Sequence, residues 1–313
     1  MTYDNAQITW TDEQWARVRQ VIQQEASRAR VAATFLPLYG PLPADTDFVP
    51  ADVIAYEPEG GRPQRMTIAD TTTVQIPTLQ VKVFVRGAQM ADPELTSVLQ
   101  LFRRAANVLA RLEDAVIFHG QPGPGKVSDA SLVHLPAIWE LLGGQKSTGL
   151  ASGGTGKPTI VDGKSCAAST KDPSACADPG ACGESLVSGV SHSIGTLEDT
   201  GHFGPFAVVL GHGFFTAVQT PNKDSLVLPQ DRIIPFLGGG SLLRSSTLAP
   251  LSGVVVALGG APVELVVATD VSLNFLQVTT DPMFVFRVYE KIVLRIKEPE
   301  AIVAIVAPEP AKK

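Results

Sequence analysis

Three cysteines, Cys166, Cys176 and Cys182, fall in one Gly-, Ser- and Ala-rich stretch, with His192 and His202 downstream. Thiolates and imidazoles are the ligands zinc prefers, but these cysteines are spaced more widely than the two-to-four-residue knuckle of structural zinc sites. Nor does an odd number of cysteines suggest a disulfide framework in a chain whose first residues show no basic segment followed by an apolar run. The spacing leaves a local disulfide or free surface thiols, with Cys176 and Cys182 the nearer pair.

Two glycine clusters resemble phosphate-cradling loops. Gly120-x-x-x-x-Gly125-Lys126 is followed by Val127 where Ser or Thr must hold magnesium, and Gly153-Gly154-Thr155-Gly156-Lys157 is followed by Pro158, so both read as turns. His119, His134, His192, His202 and His212 are scattered, and no Gly-x-Ser-x-Gly elbow places a nucleophile beside a base. His119, next to Gly120, suits a helix end where a cation opposes the dipole, and His202 suits a turn. No catalytic, cofactor-binding or metal-ligating residue is assigned, and the chain is read as a non-enzyme without a cofactor.

The surrounding elements suggest a structural role instead. A chain of 313 residues with 44% hydrophobic residues can bury a large core. A net charge of -6 lacks the clustered Lys and Arg excess of nucleic-acid binders. The most apolar region, 248–278, is broken by Pro250, Gly253, Gly259, Gly260, Pro262, Glu264 and Asp270, so it reads as strands and turns rather than a membrane span. Cytoplasmic placement is the expectation.

Thr11 and Gln14 form a capping box, and Trp15, Val18, Ile22, Ala26, Ala29 and Ala33 then recur on one helical face. Trp10, Trp15 and Trp139 could anchor a partner, but Trp15 on that face suits the core. Pro37, Pro41 and Pro43 end the helix. Residues 44–73 are polar and rich in Pro and Gly, a stretch too long for a simple connection, so they are either disordered or an arm that finds its partner on another molecule. A β-rich run at 74–85 follows. Asp92-Pro93 should cap a long helix with an apolar stripe from Leu95 to Val116, closed by Gly120. Residues 120–183 read as an insertion or surface loop with an apolar island at 132–142, before a second helix at 184–197. Strands are expected at 206–210, 254–258, 263–268, 273–278, 283–288, 292–296 and 301–306, giving an α+β fold.

The helix ending Leu109-Ala110-Arg111-Leu112-Glu113-Asp114-Ala115-Val116-Ile117-Phe118-His119-Gly120 resembles the spine-helix motif of the encapsulin (linocin-like) family. Thr11 to Trp15, Gly204 to Leu210, Thr269 to Leu273 and the carboxy-terminal strands are similar to that family in order and spacing. The resemblance implies an HK97-like capsid fold: an amino-terminal helix and cargo-facing segment at 1–43; an extended arm, or E-loop, at 44–73; a peripheral domain with its spine helix at 74–120; an axial domain at 121–260; and a return to the peripheral sheet at 261–313. An insertion near 143–183 is about 40 residues longer than in typical members, as surface loops often are.

The family resemblance further implies a self-assembling icosahedral homo-oligomer of roughly 60 copies or more. The arm becomes a contact between subunits. Thr220, Pro221, Asn222, Lys223, Asp224 and Ser225 would line the five-fold pore, and Trp15, Val18, Ile22, Ala26, Phe35, Asp270, Val271 and Leu273 the wall where a cargo enzyme docks by a short tail. Family cargoes are peroxidases or ferritin-like iron oxidases. Members often carry an aromatic residue where Ala26 stands and an Asp where Pro37 stands, so the tail bound here would differ. Val83 to Gly87 lacks the Trp through which some members bind flavin. The rival readings are a phage major capsid protein of the same fold and a peptidase or bacteriocin-like enzyme, for which no catalytic constellation is present. Deletion of residues 165–178 is expected to leave assembly intact.

Overall fold

The computed structural model describes residues 8–57, 65–69, 71–127, 138–169, 172–223, 225 and 227–308. Asp224 of the proposed pore loop, His134, much of the 132–142 island, residues 58–64 of the arm and residues 309–313 lie outside this set.

Helix α1 (Asp12–Ala29) starts with the expected capping box, Gln14 N donating to Thr11 Oγ1 at 3.2 Å and Thr11 N to Gln14 Oε1 at 3.0 Å. Its buried face carries Trp15, Val18, Ile22 and Ala26. Trp10 and Trp15 belong to the core, Trp10 stacking on Phe286 at 5.1 Å between ring centroids. After β1 (Leu38–Tyr39) the arm proves to be an antiparallel ribbon rather than a lone extended segment: β2 (Phe48–Pro50) pairs with β5 (Thr73–Gln75), and β3 (Val53–Glu57) with β4 (Arg65–Ala69). Pro50 does not prevent pairing because it is the last residue of β2, an edge strand, where proline is tolerated.

Strand β6 (Thr78–Arg86) and the single turn α2 (Gly87–Met90) lead to the spine, α3 (Thr96–His119). At 24 residues it spans about 36 Å. It starts later than Asp92-Pro93 suggests, because Leu95 is fully buried and adopts a left-handed φ of 52° as the N-cap. Asp92 still caps the turn from upstream, its carboxylate accepting from Glu94 N and Thr96 N, both at 3.0 Å. Gly120 closes the helix at φ 74°.

The region read as an insertion is largely built into the body. Its strands are β7 (Gly120–Gln121), β8 (Trp139–Leu142), β9 (Ser147–Thr148) and β10 (Thr159–Ile160). β7 pairs with β9, and β8 joins β6. Helix α4 (Pro179–Asp199) begins five residues before the expected 184, capped by Asp178, which accepts from Ala181 N at 3.3 Å. Gly180 and Gly183, poor helix formers, obscured that first turn. Gly183 is needed there, since a Cβ on it would lie 2.6 Å from Ala217 O, and Gly180 lets α4 approach Pro221 closely.

The chain continues through β11 (Phe206–Leu210), α5 (His212–Val218), α6 (Pro229–Ile233), β12 (Leu242–Arg244), β13 (Ser252–Ala257), β14 (Val263–Val278), β15 (Met283–Ile296) and β16 (Ile302–Val306). Four expected strands have fused into β14 and β15, because bulges absorb the polar interruptions that looked like turns. Two five-stranded sheets result, ordered β1-β14-β15-β6-β8 and β10-β16-β13-β11-β12. The first carries α1 and α3, and α4 and α5 pack with the second. Two boundaries read from the sequence therefore move. β8, within 121–260, belongs to the first sheet, whereas β16, within 261–313, crosses to the second because its apolar residues complete the edge of β13.

The cysteines are buried rather than surface thiols, and the disulfide joins Cys166 to Cys182, not Cys176 to Cys182. Backbone bonds between 165–169 and 175–178 bring the more distant Cys166 to α4, a proximity that sequence separation does not reveal. Deleting 165–178 would thus remove core residues and a covalent tie. Among the described residues no group of three or more His, Cys, Asp or Glu is arranged to hold a metal ion, and no helix is long and apolar enough to cross a membrane.

Candidate docking clefts and pore loop

The eight residues read as a cargo wall divide sharply. Trp15, Val18, Ile22 and Ala26 point into the core, and Phe35 and Val271 are buried. Leu273 is half-buried, and the Asp270 side chain is 59% exposed. A bulge explains the contrast between neighbours 270 and 271. β14 and β15 lose register between Val267 and Thr269 and again between Thr269 and Ser272, so Asp270 and Val271 have no partners in β15, and the extra residues re-aim their side chains.

Two clefts flank this bulge. One, of about 380 Å³, is lined by Arg19, Ile22, Gln23, Val271, Ser272, Leu273, Asn274 and Tyr289. Gln23 Nε2 donates to Val271 O at 2.5 Å, tying α1 to the bulge. Arg287 stacks on Tyr289, its guanidinium carbon 4.3 Å from the ring centroid, and Asn274 Nδ2 donates to Tyr289 Oη at 3.3 Å. The other, of about 220 Å³, is mostly apolar, with Leu38, Pro41, Leu265, Val267 and Ile292 around Arg30, Glu113 and Asp270. Arg30 pairs with Asp270 at 3.2 Å and lies 3.6 Å from Glu113. Sequence reasoning missed Arg19, Gln23, Asn274 and Tyr289. The signal was one helical step away: the apolar stripe of α1 marks what is buried, and a visiting segment meets the polar residues beside it.

Behind the second cleft lies a buried acidic cluster. Burial pushes the Glu113 carboxyl up to about 7 despite the Arg30 guanidinium. Burial and the neighbouring Glu113 charge push Asp114 to about 8, against backbone donors from Ala32 and Val31. Glu290 is raised by burial and by Glu113. Asp114 has a structural task, its carboxyl accepting from Val31 N at 3.0 Å and Ala32 N at 2.8 Å where the chain leaves α1. The family-like Glu-Asp pair of the spine therefore fixes the position of α1.

The 220–225 loop joins α5 to α6. Thr220 N donates to Ala217 O at 3.1 Å and Thr220 Oγ1 to Thr216 O at 2.8 Å, while Ser225 N donates to Asn222 O at 3.2 Å. Pro221 and Lys223 are exposed, and the first turn of α4 backs the loop. His119 donates to Thr247 O at 2.5 Å, linking the spine to the segment before β13. His202 is a buried turn residue, bonded to Glu298 and Thr200, both at 3.1 Å.

A spine helix across one sheet, helices packed on a second sheet and a two-stranded arm are the elements of the HK97-type capsid fold. The virus-like particle from Pyrococcus furiosus shares this fold with a TM-score of 0.62 at 17% identity, covering 93% of this chain and 98% of that one. The capsid of Myoviridae phage XM1 gives 0.51 at 11%, covering 82% of each chain. In sequence, the chain is 27% identical over 303 residues to the type 1 encapsulin shell protein EncA of Myxococcus xanthus (strain DK1622), covering 93% of this chain and 91% of that protein. The Linocin_M18 family model, described as an encapsulating protein for peroxidase, matches residues 1–128 and 167–293. The chain belongs to this encapsulin shell protein family. The unmatched stretch overlaps the region that the sequence marks as longer than in family members.

Proposed function

We propose that copies of this chain, roughly 60 or more by icosahedral symmetry, close into a cytoplasmic compartment around a cargo enzyme, and that the chain itself performs no catalysis. Enclosure is the function. The observation that carries the reading is the arm: Met66 and Ile68 of β4 are 70% and 59% exposed, an apolar face left uncovered among the described residues. Neighbouring subunits would cover it.

The two clefts beside Asp270 suit a short cargo tail. Their apolar walls would take its aliphatic side chains, and Arg19, Arg30 and Asp270 would select its charges. A peroxidase is the cargo class that the family description names. Thr220, Pro221, Asn222, Lys223, Asp224 and Ser225 would form a polar opening for small solutes.

Co-expression with a tail-bearing peroxidase tests the docking. Leu273→Asp places a charge in the larger cleft and is expected to lower cargo retained in purified particles by about tenfold or more, the effect of about 1.4 kcal/mol, with particle size unchanged. Wild-type retention in this variant would remove the cleft from the account.

A further inference from the structure

The shell reading makes no use of the cysteines. Ser169 N donates to Ala175 O at 2.8 Å, Ala177 N to Ala167 O at 2.9 Å and Asp178 N to Ser165 O at 3.1 Å. These bonds carry Cys166 and Cys176 to the first turn of α4, where Cys182 sits. Cys166 and Cys182 form the disulfide, and the free Cys176 Sγ lies 3.1 Å from Cys182 Sγ. All three are buried.

We propose that this trio is an internal thiol–disulfide exchange site beside the 220–225 loop. The Cys176 thiolate attacks Cys182 Sγ, the Cys176–Cys182 bond forms as the Cys166–Cys182 bond breaks, and Cys166 leaves as thiolate and takes up the proton that Cys176 gave. One S–S bond replaces another, so no oxidant or reductant is consumed. Exchange moves the tie on α4 from the 165–169 limb to the 175–178 limb. The same turn of α4 backs Pro221 and Asn222, and Gly213 of α5 packs so closely on Ser174 that a Cβ there would overlap Ser174 O. A change of tie is therefore felt by the segment 213–222. Its link to passage of solutes rests on the pore-loop reading, whereas the exchange itself does not.

Burial pushes the Cys176 thiol up to about 11. At pH 7 the thiolate is then about one part in 10⁴, and exchange should quicken about tenfold per pH unit up to that value.

The test is disulfide mapping of the assembled protein after acid quenching and alkylation. Cleavage before Asp162, Asp172, Asp178 and Asp199 puts each cysteine on its own peptide. In the wild type, Cys176–Cys182 should appear at pH 9 about 100-fold faster than at pH 7, while Cys176→Ser keeps Cys166–Cys182 throughout. Cys166→Ser, refolded in a glutathione redox couple, should carry Cys176–Cys182. Wild-type connectivity that stays Cys166–Cys182 for days at pH 9, or a folded Cys166→Ser protein with both thiols free, overturns the exchange. Hydrogen exchange at residues 213–223 should differ between the two variants, and identical protection would overturn the coupling. The mapping can be read on a particle or a small oligomer, so failure of the shell reading shows up separately as size.

Discussion

Asp114 sits at the junction on which the rest of the subunit depends. Its carboxyl satisfies two backbone donors where α1 ends, in a place water does not reach. Asp114→Ala should cost about 2 kcal/mol by leaving those donors unsatisfied, and Asp114→Asn, which keeps an acceptor, markedly less; urea unfolding reads both. The acidic cluster also sets the direction of pH dependence. Glu113 and Asp114 hold protons to about 7 and about 8 in the fold, whereas the unfolded chain releases them near pH 4. The folded state binds more protons across that window, so the cluster's contribution falls as pH rises from about 4 to about 8 and then levels off. The urea midpoint of wild type should fall between pH 5 and pH 8, and Glu113→Gln should flatten the slope. An unchanged slope would place those protons elsewhere. The sequence showed the Glu-Asp pair as a family-like motif, but not its burial or its contact with residues 31 and 32, which lie some eighty positions away.

Among the elements, the arm and the two long strands show how local pattern and tertiary structure diverge. Apolar runs were legible, and β11 falls where the run Phe206 to Leu210 placed it. The joining of short runs into β14 and β15 was not, because Lys291 looks like a turn residue until it pairs with Thr269, and Asp270 until a bulge takes it up. The root of the arm was equally hidden. Arg295 of β15 reaches Asp52 Oδ2 at 2.6 Å and Pro50 O at 3.0 Å, pairs with Glu264 and stacks on Tyr39, its guanidinium carbon 4.4 Å from the ring centroid. This network, centred on the buried Arg295 and Glu264, clamps the arm to the sheet. Arg295→Met should destabilise the subunit by about 3 kcal/mol, since it takes a partner from the buried Glu264, and should hasten proteolysis at 44–57. Lys297, 3.1 Å from Glu264, softens the loss. Proteolysis at the wild-type rate would show that the arm is held by strand pairing alone.

For the whole molecule, the order of elements already gave an α+β subunit with an unpartnered arm, and the spine motif placed it among encapsulins. What pattern could not supply was which residues face a partner, since buried and presented faces share one helix and one strand. The arm's exposed Met66 and Ile68 and the clefts beside Asp270 became visible only once α1 and β14 had docked. The central claim, that the chain alone builds a closed shell, is tested most directly by the particle mass of the purified protein in light scattering or charge-detection mass spectrometry. At 33.1 kDa per chain and roughly 60 copies, the account predicts about 2 MDa or more for wild type, and small oligomers for Met66→Asp/Ile68→Asp. A wild-type protein that stays folded yet runs as a monomer or small oligomer at near-neutral pH would contradict it.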